Sequence, residues 1–183
     1  MHTYKSATPI SIRHAEPSDY EAVHKIFTGP KAIRGTLQTP FPSMEKWRQR
    51  LATPSEGHFS LIACAEEEVV GQLGLHTFPN RPRRRHVAQI GMAVRDDWQG
   101  KGVGSALMQA AINLAENWLQ ITRLELEVYT DNQAGFIFTR NLASKLRARC
   151  DNTPFEMASM STLIAWQSYL LSPQKKLDNH SEK

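Results

Sequence analysis

The spacing of apolar and polar residues along the chain changes from a period of two to one near 3.6 and back again. Residues 10–15 (ISIRHA) alternate, which predicts a first strand. The next stretch, EPSDYEAVHKIF, predicts a helix capped by Ser18 or Asp19, with Tyr20, Val23, His24 and Phe27 on one face. GPKAIRGTLQTPFP is rich in glycine and proline and reads as a loop. Residues 43–52 (SMEKWRQRLA) predict a short helix with Ser43 as its N-cap. FSLIACAEEEVVGQLGLHTF predicts two strands joined by an acidic turn at Glu66, Glu67 and Glu68. A basic loop, RPRRRH, leads into a fourth strand, VAQIGMAV.

The longest helical signal follows a glycine-rich turn. Val103, Leu107, Ala110, Ala111, Leu114 and Trp118 recur at helical spacing in GVGSALMQAAINLAENWLQ. Residues 121–129 (ITRLELEVY) then alternate and predict a fifth strand. Strand, helix and strand in succession make the class mixed α/β.

Composition narrows this reading only a little. The 183 residues fit one globular domain, with 40% hydrophobic and 22% charged residues. A formal charge of +4 suits a site for an anionic small ligand as well as a nucleic-acid surface. Arg81, Arg83, Arg84 and Arg85 cluster, but the aromatic residues that interleave a nucleic-acid surface are missing. Such a cluster reads as solvated, or as a guide for an anionic ligand, and no nucleic-acid partner is expected. Cys64 and Cys150 lack the spacing of a metal site or an obvious disulfide. No run approaches a membrane-spanning length, and the first twenty residues contain no signal-like apolar core. The expectation is a cytoplasmic chain with no metal and no membrane partner.

The chemistry concentrates in VRDDWQGKGVGSALM. Gly100, Gly102 and Gly104 lie between the end of the fourth strand and the start of the long helix. Glycines allow a tight turn and close backbone approach. The first N–H groups of a helix have no internal acceptor, and together with the helix dipole they form a site suited to a pyrophosphate. Lys101 adds a positive charge. The spacing is neither a P-loop nor a dinucleotide-binding fingerprint. A helix start that needs glycines only for packing remains the alternative.

The run Gln99-Gly100-Lys101-Gly102-Val103-Gly104 resembles the motif by which the GNAT superfamily of N-acetyltransferases binds the pyrophosphate of acetyl-CoA. The resemblance covers about residues 10–134, including IRHAEPSDYEAV and LELEVYTDNQA. RPRRRHVA resembles a bacterial subgroup that acetylates free L-amino acids such as phenylalanine or methionine. The family implies a mostly antiparallel central sheet flanked by helices. It implies acetyl-CoA as co-substrate, direct transfer to a primary amine of a small molecule, and often a homodimer. It places Met92, Ala93 and Val94 against the pantetheine arm. Gln99, Gly100, Lys101, Gly102, Val103, Gly104 and Ser105 would hold the pyrophosphate, with Asn132 contacting the cofactor. Glu127 matches the position of a general base in some members and shares a strand face with Glu125, with His76 and His86 as alternatives.

The resemblance then breaks. The family's general acid is a tyrosine, and its place here is held by Thr139, with no following Gly-Phe and no closing strands. Codons permitted for residues 137–158, read from the last base of the Ile137 codon, can give LYEKFGFEIEGTLRQYAFRNG. That string has the tyrosine, the Gly-Phe and the closing strands of the family. A frameshift close before Phe138 is therefore expected. The expected organisation is an arm at 1–9, a GNAT acetyl-CoA-binding domain at 10–135, an atypical segment at 136–171 and a disordered tail at 172–183. Impaired activity follows, with a non-catalytic, vestigial CoA-binding domain as the alternative. Loss of the last strands is also expected to leave a sheet edge open.

Overall fold

A computed structural model describes residues 8–36, 38–129, 131–149 and 156–159. Most of the expected arm (residues 1–7), all of the expected disordered tail and much of the atypical segment lie outside these residues. A six-stranded sheet has the order β1 to β6, in sequence. The strands are β1 (Ser11–His14), β2 (His58–Ala65), β3 (Glu68–Thr77), β4 (Val87–Val94), β5 (Arg123–Leu126) and β6 (Glu156–Ser159). The first three pairings are antiparallel, and β4–β5 and β5–β6 are parallel. The helices are α1 (Tyr20–Thr28), α2 (Pro30–Gly35), α3 (Met44–Ala52), α4 (Val103–Asn117) and α5 (Gln133–Arg149). The expected architecture, a mixed and mostly antiparallel sheet flanked by helices, is the one observed.

Strand alternation sorts the side chains into two layers. Leu73, Leu75, Ile90, Leu124 and Leu126 pack in one core with Val103, Leu107, Met108, Ala111 and Ile112 of α4. On the other face, Ile62 and Ala93 pack with Val23, Ile26 and Phe27 of α1 and Trp47 and Leu51 of α3. Phe27 and Trp47 stack with centroids 4.4 Å apart. That second face turns polar toward the far ends of β3 and β4. Directly opposed pairs there are Gln72 with Ala93, Gly74 with Gly91, and His76 with Gln89.

Several local expectations are corrected. The first helix is not capped by Ser18. Asp19, the other expected cap, stands at the N-cap position, but its carboxylate makes no capping bond: it accepts the Glu16 N–H at 2.7 Å and is held by the two terminal guanidinium nitrogens of Arg13, at 2.7 and 2.8 Å. Part of the expected loop is the helix α2. Pro30 is ready-made for a first helical position, and the carboxylate of Asp96 accepts the N–H groups of Lys31 and Ala32 at 3.0 and 3.1 Å. An acceptor so far along the chain leaves no local sequence signal. By contrast, Ser43 caps α3 as expected, accepting the Lys46 N–H at 3.3 Å. The hairpin turn is two residues, Glu66 and Glu67, at φ 51° and 69°, and Glu68 already opens β3. Trp118 does not extend the buried stripe of α4: it is 75% exposed, because the helix ends at Asn117. β5 is shorter than its alternating pattern. The edge of β5 is not left open, because β6 pairs along all four of its residues.

Candidate active site

The site begins where β4 and β5 part. Their parallel register runs from Val87 with Arg123 to Ile90 with Leu126. Residues 91–94 of β4 continue along β3, and among the described residues no strand pairs with them on the β5 side. The resulting cleft opens into two cavities that share Gly35, Thr36 and Met92 in their walls.

The outer cavity, about 870 Å³, runs from the open part of β4 to the start of α4. Met92, Ala93, Val94, Gln99, Gly100, Gly102, Gly104, Ser105 and Asn132 all line it, so the structure gathers nine of the expected residues. Gly100 and Gly102 adopt φ 76° and 87°, and a Cβ on either would meet nothing within 4 Å. Their glycines are needed for the left-handed backbone rather than for clearance. The first intrahelical bond of α4 runs from the Ala106 N–H to the Gly102 carbonyl at 3.0 Å. The N–H groups of Val103, Gly104 and Ser105 therefore lack intrahelical acceptors at the mouth of an open turn, and a pyrophosphate fits there.

Two expected members stand apart. The side chain of Val103 is fully buried in the α4 core, so its backbone alone can serve the site. Lys101 does not line the cavity; its ammonium lies 4.7 Å from the centre of the Trp98 ring. Asn132 is also structural. Its Oδ1 accepts the Gly135 N–H at 2.9 Å, and its Nδ2 donates to the Gly35 carbonyl at 3.2 Å. It caps α5 and ties α2 to it, leaving one amide hydrogen for a ligand. Lys31 and Arg34 of α2 line the same cavity and were not expected. Their only sequence trace is the basic spacing in PKAIRG, within a segment that reads as a loop.

The inner cavity, about 290 Å³, lies on the polar sheet face beneath α1 and α3. Its opposed glycines, Gly74 and Gly91, leave the floor low, and a Cβ on Gly91 would meet nothing within 4 Å. Glu125 and Glu127 both line it. Glu125 is buried and occupied: Arg84 donates to it at 2.7 Å and Arg123 at 3.1 Å. Glu127 is exposed at the cavity mouth and, among the described residues, makes no ion pair. His76 also lines the cavity, whereas His86 is exposed and lines neither cavity. Burial, then the nearby Arg50 charge, lowers the His76 pKa from its ordinary value. Arg50, contributed by α3, was not among the expected residues.

Thr139 is buried, and its hydroxyl donates to the Gly135 carbonyl one turn back at 2.8 Å. It lines neither cavity. The basic loop is not simply solvated. Arg84 lies 4.1 Å over the Phe78 ring while pairing with Glu125, and Arg85 donates to the Pro79 carbonyl. Among the described residues no group of side chains could hold a metal ion, and no helix is long and apolar enough to cross a membrane.

Residues 20–139 match the model of the acetyltransferase (GNAT) family. The chain belongs to that family. It is 46% identical over 123 residues to the L-amino acid N-acetyltransferase AaaT of Escherichia coli (strain K12), covering 67% of this chain and 75% of that protein. The ribosomal-protein-alanine N-acetyltransferase of Brucella melitensis superposes with a TM-score of 0.62 at 25% identity, over 72% of this chain and 82% of that one. An N-acetyltransferase from Staphylococcus aureus Mu50 gives 0.64 at 19% identity, over 74% and 82%, and shows the shared fold. The chain is thus an N-acetyltransferase by family, and the co-substrate of that family is acetyl-CoA.

Proposed function

We propose that this acetyltransferase moves the acetyl group of acetyl-CoA directly to the primary amine of a free L-amino acid or related small amine. The observation that carries the reading is the meeting of the two cavities at Met92. The glycine turn and the three N–H groups of α4 lie on one side, and a small polar chamber with Glu127 at its mouth lies on the other. The relative in E. coli is named for L-amino acids, which supports that acceptor class.

Gly100, Gly102, Gly104 and Ser105 would hold the pyrophosphate, and the unpaired stretch of β4 would align the pantetheine arm. A backbone N–H there would stabilise the oxyanion as the amine attacks the thioester carbon, a contribution of a few kcal/mol. Glu127 would take the proton from the ammonium. The acetyl C–S bond then breaks, and the second amine proton passes through solvent to the departing thiolate, leaving the N-acetyl product and CoA thiol.

A second reading, a non-catalytic CoA-binding domain, is favoured by one observation: the hydroxyl at the expected acid position is turned into α5. We attribute that position to a frameshift just before Phe138. Sequencing the DNA decides this, and bases unable to encode LYEKFGFE in the shifted frame would exclude it. Calorimetric titration with acetyl-CoA, alongside a thiol-release assay with L-phenylalanine and L-methionine, separates the two readings. Binding with amine-dependent thiol release supports transfer, and binding without it supports the second reading.

A further inference from the structure

The inner cavity holds a cation that no ion pair among the described residues neutralises. Arg50 is half-buried on α3, and among the described residues it makes no ion pair. It lies 5.2 Å over the Trp47 ring, with Nη2 3.5 Å from Nε2 of His76. Among the described residues it is the one lysine or arginine in the lining of that cavity. A desolvated guanidinium without a counter-charge is costly, and its planar fork matches a carboxylate.

A second polar group adjoins the same cavity. His58 stacks on His76 with centroids 4.1 Å apart, and its buried Nε2 has no hydrogen-bond partner among the described residues. That atom would lie 3.2 Å from a Cβ at Gly74, so it faces the floor glycine.

We propose that Arg50 binds the α-carboxylate of the acceptor, making it the residue that selects free amino acids over simple amines. This inference rests on the acceptor class proposed above. The geometry gives the acceptor an orientation. Arg50 stands by His76 on β3, whereas Glu127 follows β5. The glycine floor of β4 lies between them, and two strand spacings separate β3 from β5 by roughly 10 Å. An amino acid lying across Gly91 would place its carboxylate on Arg50. Its amine would then point toward Glu127 and Met92, where the two cavities join. The cation and the free carboxylate at opposite walls complement a zwitterion, and an amine lacking the carboxylate would leave Arg50 unpaired.

The test is calorimetry on the full chain saturated with CoA. The probes are L-phenylalanine against L-phenylalaninamide, and L-methionine against L-methioninamide. At least one acid should bind about tenfold or more tightly than its amide, the size of a charge-assisted hydrogen bond. Arg50→Gln should reduce that ratio to near one while leaving CoA affinity unchanged. Arg50→Lys, which keeps the charge but loses the fork, should fall between them. If Arg50→Gln also loses CoA binding, the Arg50→Lys ratio decides, and an undiminished ratio overturns the assignment. Failure of both acids to bind, equal binding of acid and amide by the wild type, or an unchanged ratio in Arg50→Gln also overturns it. Intact discrimination with no acetyl transfer would instead sink the catalytic reading and leave Arg50 as the carboxylate site.

Discussion

At the scale of single residues, the turn before α4 depends on backbone conformation more than on side chains. Gly102 sits at φ 87° with open space where a Cβ would be. Gly102→Ala should therefore cost roughly 1 to 2 kcal/mol of stability through left-handed strain alone. Any relaxation of the turn also misaligns the N–H groups of α4, so acetyl-CoA affinity should fall in calorimetry. Unchanged stability and affinity would remove the turn from the site. Thr139 gives the opposite expectation. Its hydroxyl is already bonded to the Gly135 carbonyl, so Thr139→Val should keep any thiol-release rate within about twofold. A much larger loss would mean that the hydroxyl acts as the acid after all.

His58 gives a pH signature. Burial, then the charges of His76 and Arg50, push its pKa down to about 4 from 6.5. Between those values the unfolded chain binds a proton that the folded chain refuses. Stability is then complete above about pH 6.5 and falls as the pH is lowered toward 4, by on the order of 1–3 kcal/mol. Urea midpoints across that window should fall more steeply for the wild type than for His58→Gln, and parallel curves would contradict the buried neutral histidine.

At the scale of elements, α2 shows what the sequence could and could not reveal. Ser43 capping α3 and the stripe on α4 were legible because cap and period are local. The helix α2 was not, because its N-terminal N–H groups are satisfied by Asp96, which precedes α4. Gly29 permits this contact, since a Cβ there would come within 2.8 Å of the carboxylate. Asp96→Ala should cost about 1 kcal/mol, the typical value of a lost cap. Amide exchange should quicken in α2, with little change in α3. Because Lys31 and Arg34 of α2 line the outer cavity, acetyl-CoA affinity should fall as well. The short β6 was also illegible: the chain around Glu156 carries no clean alternation, and β6 is placed by pairing with β5.

At the scale of the whole molecule, the fold and most of the lining of the outer cavity were readable from QGKGVG and the elements around it. The inner cavity was not. It is assembled from α3, β3, β4 and β5, and its decisive features are two opposed glycines and one arginine. No spacing along the chain announces that Arg50 and Glu127 share a cavity. The sheet that carries both cavities is continuous from β1 to β6.

The central claim is that these joined cavities perform acetyl transfer to an amino acid. It is tested most directly by mass spectrometry of the products after incubation with acetyl-CoA and a mixture of free L-amino acids. An N-acetyl amino acid should accumulate with enzyme and time, and at least tenfold more slowly with Glu127→Gln. Bound acetyl-CoA that yields no N-acetyl product from any amino acid would contradict it.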